Sequence, residues 1–319
     1  VPGPPLVTGA TGFAGGHLID RLLTRLPRVA AWAHAGSGRN AGDGRGDRIA
    51  WSHVDLLDPA GVTAALEAVR PSAIFHLAGI ADVHAAWRSA APALRVNALG
   101  THHLLESVRA LRLDIPIIIT GSALVYRPST RAISEEGPVA PASPYGISKL
   151  AQEMVGLRAT WCPVFVARPF NHAGPRQSDA YVTSSFARQI AEIEAGLREP
   201  VLHVGNLDSR RDITDVRDTV RAYELILERG TPRRPYNVCC GNAYRIADLM
   251  KILVGLARTE IRIQTDPDRL RPSDTPVVLG DFGRLERDTA WRPSIPIEQT
   301  LADLLDHWRS AIALDRSLR

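Results

Sequence analysis

The stretch Leu6-Val7-Thr8-Gly9-Ala10-Thr11-Gly12-Phe13-Ala14-Gly15-Gly16, followed by the amphipathic run from His17 to Leu26, decides the fold of this chain. A short apolar run, a glycine turn and a helical pattern read as strand, turn and helix, the context in which a glycine triplet holds a dinucleotide. A side chain at these glycines would keep the backbone away from a pyrophosphate. The helix N-terminus then offers free N–H groups and a positive dipole end to the phosphates. The spacing is Gly9-x-x-Gly12-x-x-Gly15 rather than the commoner Gly-x-Gly-x-x-Gly. Alone, such a triplet is a weak signal, since glycine-rich turns are ordinary.

Outward from that turn, strand-like runs over 5–8, 29–33, 49–54, 73–75, 115–120 and 163–167 alternate with helical patterns, among them 59–69, 93–111 and 144–159. This alternation predicts an α/β fold, a doubly wound parallel sheet with helices on both faces. Asp58 ahead of Pro59 predicts a helix cap, with proline tolerated at the first helical position. The glycine- and arginine-rich segment 35–47 reads as a loop.

A second signal lies on the far side of these units. Tyr145-Gly146-Ile147-Ser148-Lys149 contains one of only two lysines in the chain, the other being Lys251. Residues four apart share one face of a helix. An ammonium there stabilises a phenolate, whose ordinary pKa near ~10 is too high for proton exchange at neutral pH. A tyrosine tuned this way exchanges a proton with an alcohol or ketone oxygen. The bland alternative is an exposed helix with an incidental lysine, and the glycine turn upstream weighs against it.

Composition excludes several classes. With 319 residues and 45% hydrophobic content, the chain can build a substantial core. No apolar run approaches the ~20 residues that span a bilayer. The first strand begins almost at residue 1, so no signal peptide is expected. Cys162, Cys239 and Cys240 suit neither a disulfide framework nor a metal site. A cytoplasmic, reducing setting is the expectation. The net charge of +4 comes from arginines interspersed with acids, as in Arg210-Arg211-Asp212, which points to small anionic ligands rather than nucleic acid.

Five further segments, in order, make the resemblance specific: Val54-Asp55-Leu56-Leu57-Asp58, Phe75-His76-Leu77-Ala78-Gly79, Val96-Asn97-Ala98-Leu99-Gly100-Thr101, Ser122-Ala123-Leu124-Val125-Tyr126 and Arg168-Pro169-Phe170-Asn171. With these the chain resembles, over essentially its whole length, the extended short-chain dehydrogenases/reductases that modify nucleotide-activated sugars. The segments 167–177, 209–218, 236–241 and 271–274 look like those of GDP-4-keto-6-deoxymannose reductases, and GDP-mannose 4,6-dehydratases share several of them. The resemblance implies a Rossmann-type dinucleotide-binding domain over 1–170, with 212–238 returning to it, and a smaller nucleotide-sugar lobe over 171–319. It also implies a homodimer through the helices at 93–111 and 144–159.

On that resemblance, Tyr145 is the proton donor and acceptor, Lys149 its electrostatic partner, and Ser122 the hydrogen-bonding partner of the reacting oxygen. The bland reading of Ser122 is a turn or capping serine. Gly9, Thr11, Gly12, Phe13, Ala14 and Gly15 become cofactor contacts, with Leu77, Ala78 and Gly79 lying against the dinucleotide. Asp55, with Leu56 beside it, faces the adenine; a strand-end turn aspartate is compatible with that role. His76, flanked by apolar residues, reads as a satisfied core histidine. Tyr126 reads as packing below the site. For Asn97 an interhelical hydrogen bond and a place beside the cofactor stand level.

The run after the second strand, Val29-Ala30-Ala31-Trp32-Ala33-His34, lacks the acid that NAD-specific enzymes place there for the ribose hydroxyls. His34, Ser37 and Arg39 suit a phosphate, so NADP(H) is expected over NAD(H). Asn171, Arg176, Val182, Arg211, Arg271 and Asp274 match nucleotide-contacting positions of the resembling families. Arginine forks suit a diphosphate, although any single arginine is more often surface than site. The implied activity is NAD(P)H-dependent reduction of a GDP-4-keto-6-deoxyhexose to GDP-6-deoxymannose. A nucleotide-sugar 4-epimerase with tightly held NAD is the same-fold alternative, and a non-catalytic dinucleotide-binding protein the alternative from another class. Dehydratases carry an acid two positions after the catalytic Ser or Thr. Here Leu124 and Ala123 occupy that neighbourhood, and Arg127 replaces a usual glycine, which bears on the local loop.

Overall fold

The computed structural model describes residues 3–35, 46–269 and 276–317. Its first half alternates as the sequence predicts: β1 (Leu6–Thr8), α1 (Phe13–Leu23), β2 (Val29–Ala33), β3 (Ile49–His53), α2 (Pro59–Val69) and β4 (Ile74–His76). There follow α3 (Val83–Arg88), α4 (Ala91–Leu94), a π-helical turn (Arg95–Leu99), α5 (Gly100–Ala110), β5 (Ile117–Thr120), a 3₁₀ turn (Ala123–Val125), α6 (Pro144–Arg158) and β6 (Val164–Pro169). The remainder comprises β7 (Asn171–Ala173), α7 (Val182–Glu194), β8 (Val201–Val204), β9 (Arg210–Asp215), α8 (Val216–Arg229) and β10 (Pro235–Val238). It ends with β11 (Ala243–Arg245), α9 (Ile246–Gly255), β12 (Arg262–Thr265), β13 (Val277–Val278), α10 (Gly283–Thr289) and α11 (Ile297–Ser317).

Seven parallel strands form the main sheet in the order β10-β6-β5-β4-β1-β2-β3. The chain runs outward from β1 in one direction and from β4 in the other, so the crevice between their carboxyl ends is the topological switch point. Successive side chains point to opposite faces, and both faces are apolar. Leu6, Ala30, Ile74, Ile117 and Ile119 pack with Leu66 of α2 and Leu104 and Val108 of α5. Val7, Ala31, Phe75 and Ile118 pack on the other side with Leu18 and Leu22 of α1 and Val220 and Ile226 of α8. Each fully buried Leu, Ile or Val contributes about 1.5–3 kcal/mol, which makes this two-sided sheet the rigid platform of the molecule.

A second core joins Phe186 and Ile190 of α7, Leu249 and Leu253 of α9 and Leu301 and Leu305 of α11. Beside it lie a four-stranded sheet, in which β9 pairs with β11, β13 and β7, and the β8–β12 pair. α8 and β10 return from this region to the main sheet, β10 pairing with β6. Among the described residues no helix is long and apolar enough to cross a membrane.

Three local expectations change. The helix expected over 93–111 is interrupted by the π-helical turn, where the Gly100 N–H donates to Arg95 O, five residues back. The Thr101 hydroxyl, in the first turn of α5, donates to Asn97 O of the π-helical turn at 2.7 Å. Asp58 does occupy the cap position of α2, but its carboxylate caps no amide. β5 begins at Ile117, because Pro116 has no N–H to give the ladder.

Candidate active site

The candidate residues collect at the carboxyl ends of the strands. Gly9 follows β1 in the left-handed region (φ +64°), and a Cβ there would lie 2.7 Å from Ala78 N. A Cβ on Gly15 would lie 2.2 Å from Gly9 O. Both glycines are therefore demanded by the fold of the turn itself, in addition to any ligand. Gly12 is the N-cap of α1 and offers no side-chain cap to its first amides, while Phe13 stacks on His172 with ring centroids 5.7 Å apart. Thr11 and Ala14 flank this turn. Across the crevice, Leu77 and Ala78 extend β4, and a Cβ on Gly79 would stand 2.7 Å from Asn97 Oδ1 and 3.5 Å from Lys149 Nζ. The close approach of Gly9 and Gly15, the uncapped start of α1 and the narrow seat at Gly79 together fit a dinucleotide laid along the crevice.

Ser143 caps α6 by accepting from Gly146 N at 3.1 Å, with Pro144 in the first turn. The helix buries Tyr145, Ser148, Lys149, Gln152 and Glu153, a polar face turned inward. Ser122 starts the 3₁₀ turn after β5 and accepts from Leu124 N at 3.1 Å. The turn-serine reading is what the structure shows, and the serine proton is left for another partner. Tyr145 lies close by: burial pushes the phenol well above its ordinary value, and the nearby Ser122 hydroxyl opposes the rise.

Lys149 is held by neighbours the sequence did not name. Its ammonium donates to Thr120 O and to Gln152 Oε1, both at 2.8 Å, rather than to the phenol. Burial lowers its pKa to about 7. A charge removed from water needs acceptors close by, and the end of β5 and the next turn of α6 supply them. One of its three protons remains uncommitted among the described residues.

His76 is the satisfied core histidine expected, bonded to Thr8 Oγ1 and Thr101 Oγ1 at 2.8 Å each. Tyr126 packs below the site, its hydroxyl donating to Asn237 Oδ1 and accepting from Arg168 Nη1, both at 2.7 Å. Asn97, fully buried in the π-helical turn, accepts from Ile80 N at 2.8 Å and donates to Ser148 Oγ at 2.9 Å. It thus bridges elements and also borders Gly79. Asp55 accepts from Leu57 N at 2.9 Å as a turn aspartate and is exposed. The Leu56 side chain packs into the core beneath Gly100. His34 is exposed just past β2; Ser37 and Arg39 lie outside the described residues.

The substrate-side residues come from several elements. Asn171 opens β7 and Val182 opens α7, both exposed. Arg176 (φ +72°) faces α1 instead, paired with Asp20 at 2.6 Å. Arg211 donates to Arg210 O at 2.8 Å, and its burial lowers its pKa. Arg271 and Asp274 lie outside the described residues.

Sequence reasoning missed two features. Tyr181, at the N-cap of α7, lies near enough to Tyr145 to raise its pKa further, and nothing in its neighbours signals that. Gln152 of α6 and Thr101 of α5 complete the surroundings of Lys149; Gln152 falls on the helix face that Tyr145 and Lys149 share, which alone does not mark it out. Among the described residues no group of His, Cys, Asp or Glu is arranged to hold a metal ion.

A sequence model of the GDP-mannose 4,6 dehydratase family matches residues 6–304. The chain is 37% identical over 314 residues to the GDP-6-deoxy-D-mannose reductase of Pseudomonas aeruginosa, covering 96% of this chain and 97% of that protein. It is 26% identical to a GDP-mannose 4,6-dehydratase of Vibrio cholerae, covering 94% and 92%. Among solved structures, RMD from Pseudomonas aeruginosa complexed with NADPH superposes with a TM-score of 0.85 at 35% identity, covering 97% of this chain and 99% of that one. The UDP-glucose 4-epimerase of Thermus thermophilus in complex with NAD gives a TM-score of 0.83 at 27% identity, covering 97% of this chain and 99% of that one.

Proposed function

The chain belongs to the GDP-mannose 4,6 dehydratase family, within the extended short-chain dehydrogenases/reductases, and on that premise we propose that it reduces a GDP-linked 4-keto-6-deoxyhexose to GDP-6-deoxymannose. The observation that carries this reading is a retained hydride-transfer constellation beside an absent elimination pair. Ser122 just past the end of β5 and Tyr145 and Lys149 on the inner face of α6 are all buried, while Leu124, the residue two beyond Ser122, is an exposed leucine that neither accepts nor donates a proton. A 4,6-elimination needs such a group; reduction of a ketone does not.

Gly9–Gly15 and Leu77–Gly79 would hold the nicotinamide dinucleotide, which when bound would supply hydride to the carbonyl carbon at C4. The Tyr145 hydroxyl donates its proton to the carbonyl oxygen as charge develops there. Ser122 shares that oxygen, and Lys149 places a positive charge beneath the phenol so that the tyrosinate left behind is not isolated. Burial raises the phenol's pKa in the resting site and the Ser122 hydroxyl opposes that rise; in this reading the charge of Lys149 would add to the compensation once substrate and cofactor are bound. The lobe formed by residues 171–319, less the 212–238 return, would hold the sugar nucleotide, with Asn171, Val182 and Arg211 at its mouth. NADPH is preferred in this reading, because no acid follows β2 to repel a 2′-phosphate.

Assay of the purified protein with GDP-4-keto-6-deoxymannose should show NADPH oxidation, with a lower KM for NADPH than for NADH. UDP-, dTDP- and CDP-linked keto sugars serve as comparisons. A clear NADH preference would remove the cofactor assignment alone. Tightly retained dinucleotide in the purified protein, with interconversion of a nucleotide sugar and its C4 epimer, would replace the reductase by an epimerase.

A further inference from the structure

A continuous buried hydrogen-bond chain runs from Lys149 to the strand ends under the crevice, and its directions are fixed by counting protons. The Thr101 hydroxyl donates to Asn97 O at 2.7 Å, so its oxygen can only accept from its other two neighbours. These are Gln152 Nε2 at 3.0 Å and His76 Nε2 at 2.8 Å. His76 must therefore carry its proton on Nε2, and its Nδ1 accepts from the Thr8 hydroxyl at 2.8 Å. Thr8 Oγ1 in turn accepts from Ala78 N at 3.2 Å. Burial keeps His76 neutral, lowering its pKa to about 3, so the ring stays one donor and one acceptor.

The consequence falls on Gln152. An amide can present either end to a neighbour, but here the NH₂ end is claimed by a hydroxyl oxygen that can only accept. The carbonyl end must then face the ammonium, which it meets at 2.8 Å. We propose that Gln152 is a positioning residue for Lys149: its carbonyl, locked in orientation by Thr101 and His76, holds the ammonium at the crevice and keeps it charged without a carboxylate partner. This rests on the reading of Lys149 as part of the reaction machinery only for its bearing on catalysis.

The other ionisable groups around the ammonium are few. Tyr145 lies on the same helix and His76 comes from β4. Glu153 and Arg168, bonded at 2.9 Å between α6 and β6, balance one another. On the helices packed against α6, Asp82, His84, Arg88, Arg95, His102 and Arg109 are exposed. His103 binds Leu56 O at 2.8 Å, and Glu106 sits 3.7 Å from Arg109. Among the described residues no carboxylate hydrogen-bonds the Lys149 ammonium, so the dipole of Gln152 has no competitor from a full negative charge.

The chain's two lysines allow a direct test on the full-length protein without any substrate. With 13Cε-labelled lysine, NMR shows two titrating signals, and Lys251→Arg assigns them. In Gln152→Leu the Lys149 midpoint should fall by about one pH unit, a tenfold loss of the protonated form at fixed pH. Gln152→Glu should move the midpoint upward, and Thr101→Val downward because the amide is free to turn. Thr101→Ser, which keeps the hydroxyl, should leave it in place. A structural role alone would lower thermal stability in these variants without these opposite movements. An unchanged midpoint in folded Gln152→Leu overturns the proposal; should that variant not fold, an unchanged midpoint in Thr101→Val together with Gln152→Glu does so. Absence of reductase activity in the wild type would leave this titration untouched, so the two readings fail separately.

Discussion

At the scale of single residues, Tyr145 is the sharpest point of the assignment. Tyr145→Phe removes one hydroxyl and keeps the ring that packs with Ala86 and Ala93. General acid–base catalysis is worth ~10²–10⁴-fold, so turnover should drop by at least that order with dinucleotide affinity nearly unchanged. A variant keeping more than about a tenth of the wild-type rate would place the acid elsewhere. Leu124 supports a second expectation. Its amide is spent on Ser122, and its carbonyl lies against Gly146, where a Cβ would come within 2.3 Å. The backbone of this loop is thus held in place while its side chain brings no proton chemistry. Incubation with GDP-mannose should give no 4-keto-6-deoxy product; turnover on a seconds timescale would reveal an acid–base pair outside this loop. The Tyr145/Lys149 pair stood out in the sequence because a scarce lysine falls one helical turn after a tyrosine, whereas Ser122 came only with the resemblance. Gln152 did not stand out, since a glutamine in a helix is ordinarily a surface residue and only the packing of α5 on α6 shows its carbonyl turned inward.

At the scale of elements, α6 explains most of what the site does, and it has an unusual distribution. Its buried face carries Tyr145, Ser148, Lys149, Gln152 and Glu153, while Ile147 and Met154 are exposed. The sequence indicated this helix through Ser143, Pro144 and the Tyr/Lys spacing, but periodicity alone would have turned its apolar residues inward. The π-helical turn before α5 was not legible either, because no propensity records it. Burying Lys149 has a thermodynamic signature. Its pKa falls from 10.5 unfolded to about 7 folded. Between those values the unfolded chain holds a proton that the folded one lacks, so stability rises with pH. Below about pH 7 both forms are protonated and the burial penalty is present in full. Above about pH 9 the raised thiols of Cys162 and Cys240 reverse the trend, since their unfolded forms ionise first. The window is therefore about pH 7 to 9, with a slope of at most about 1.4 kcal/mol per pH unit from this group. Urea unfolding of the wild type should show that rise and Lys149→Met should flatten it; parallel slopes in both proteins would mean the ammonium is not desolvated.

At the scale of the molecule, the alternation of strand and helix was enough to predict the sheet and its two buried faces, because each element's period is local. The return of α8 and β10 to that sheet is different in kind. It depends on pairing between β10 and β6, far apart in sequence, and only the resemblance anticipated it. The inverted α6 also shapes the molecular surface. Trp87, Leu94, Leu99, Ile147 and Met154 are all exposed, by between 37% and 57%, on the block formed by α3, α4, the π-helical turn and α6. These helices pack on one another, so the exposed apolar side chains sit on neighbouring elements. Single exposed leucines are ordinary, but several on one helical block mark a contact surface. α6 cannot bury that face inward, because its inner face is occupied by the residues of the site. Pairing with the same helices of a second copy would cover both, and would brace the helix that carries Tyr145 and Lys149. We therefore expect a homodimer built on α6 and the helical segment 91–110. Multi-angle light scattering at micromolar concentration should give twice the monomer mass, and Ile147→Glu combined with Met154→Glu should halve it while leaving the circular dichroism of the fold intact. An interface on α6 would back the helix that carries Tyr145 and Lys149, so the dissociated variant should also lose turnover in proportion to the loosening of α6. A wild-type protein that is monomeric at that concentration would refute the arrangement and leave the exposed face of α6 to another partner.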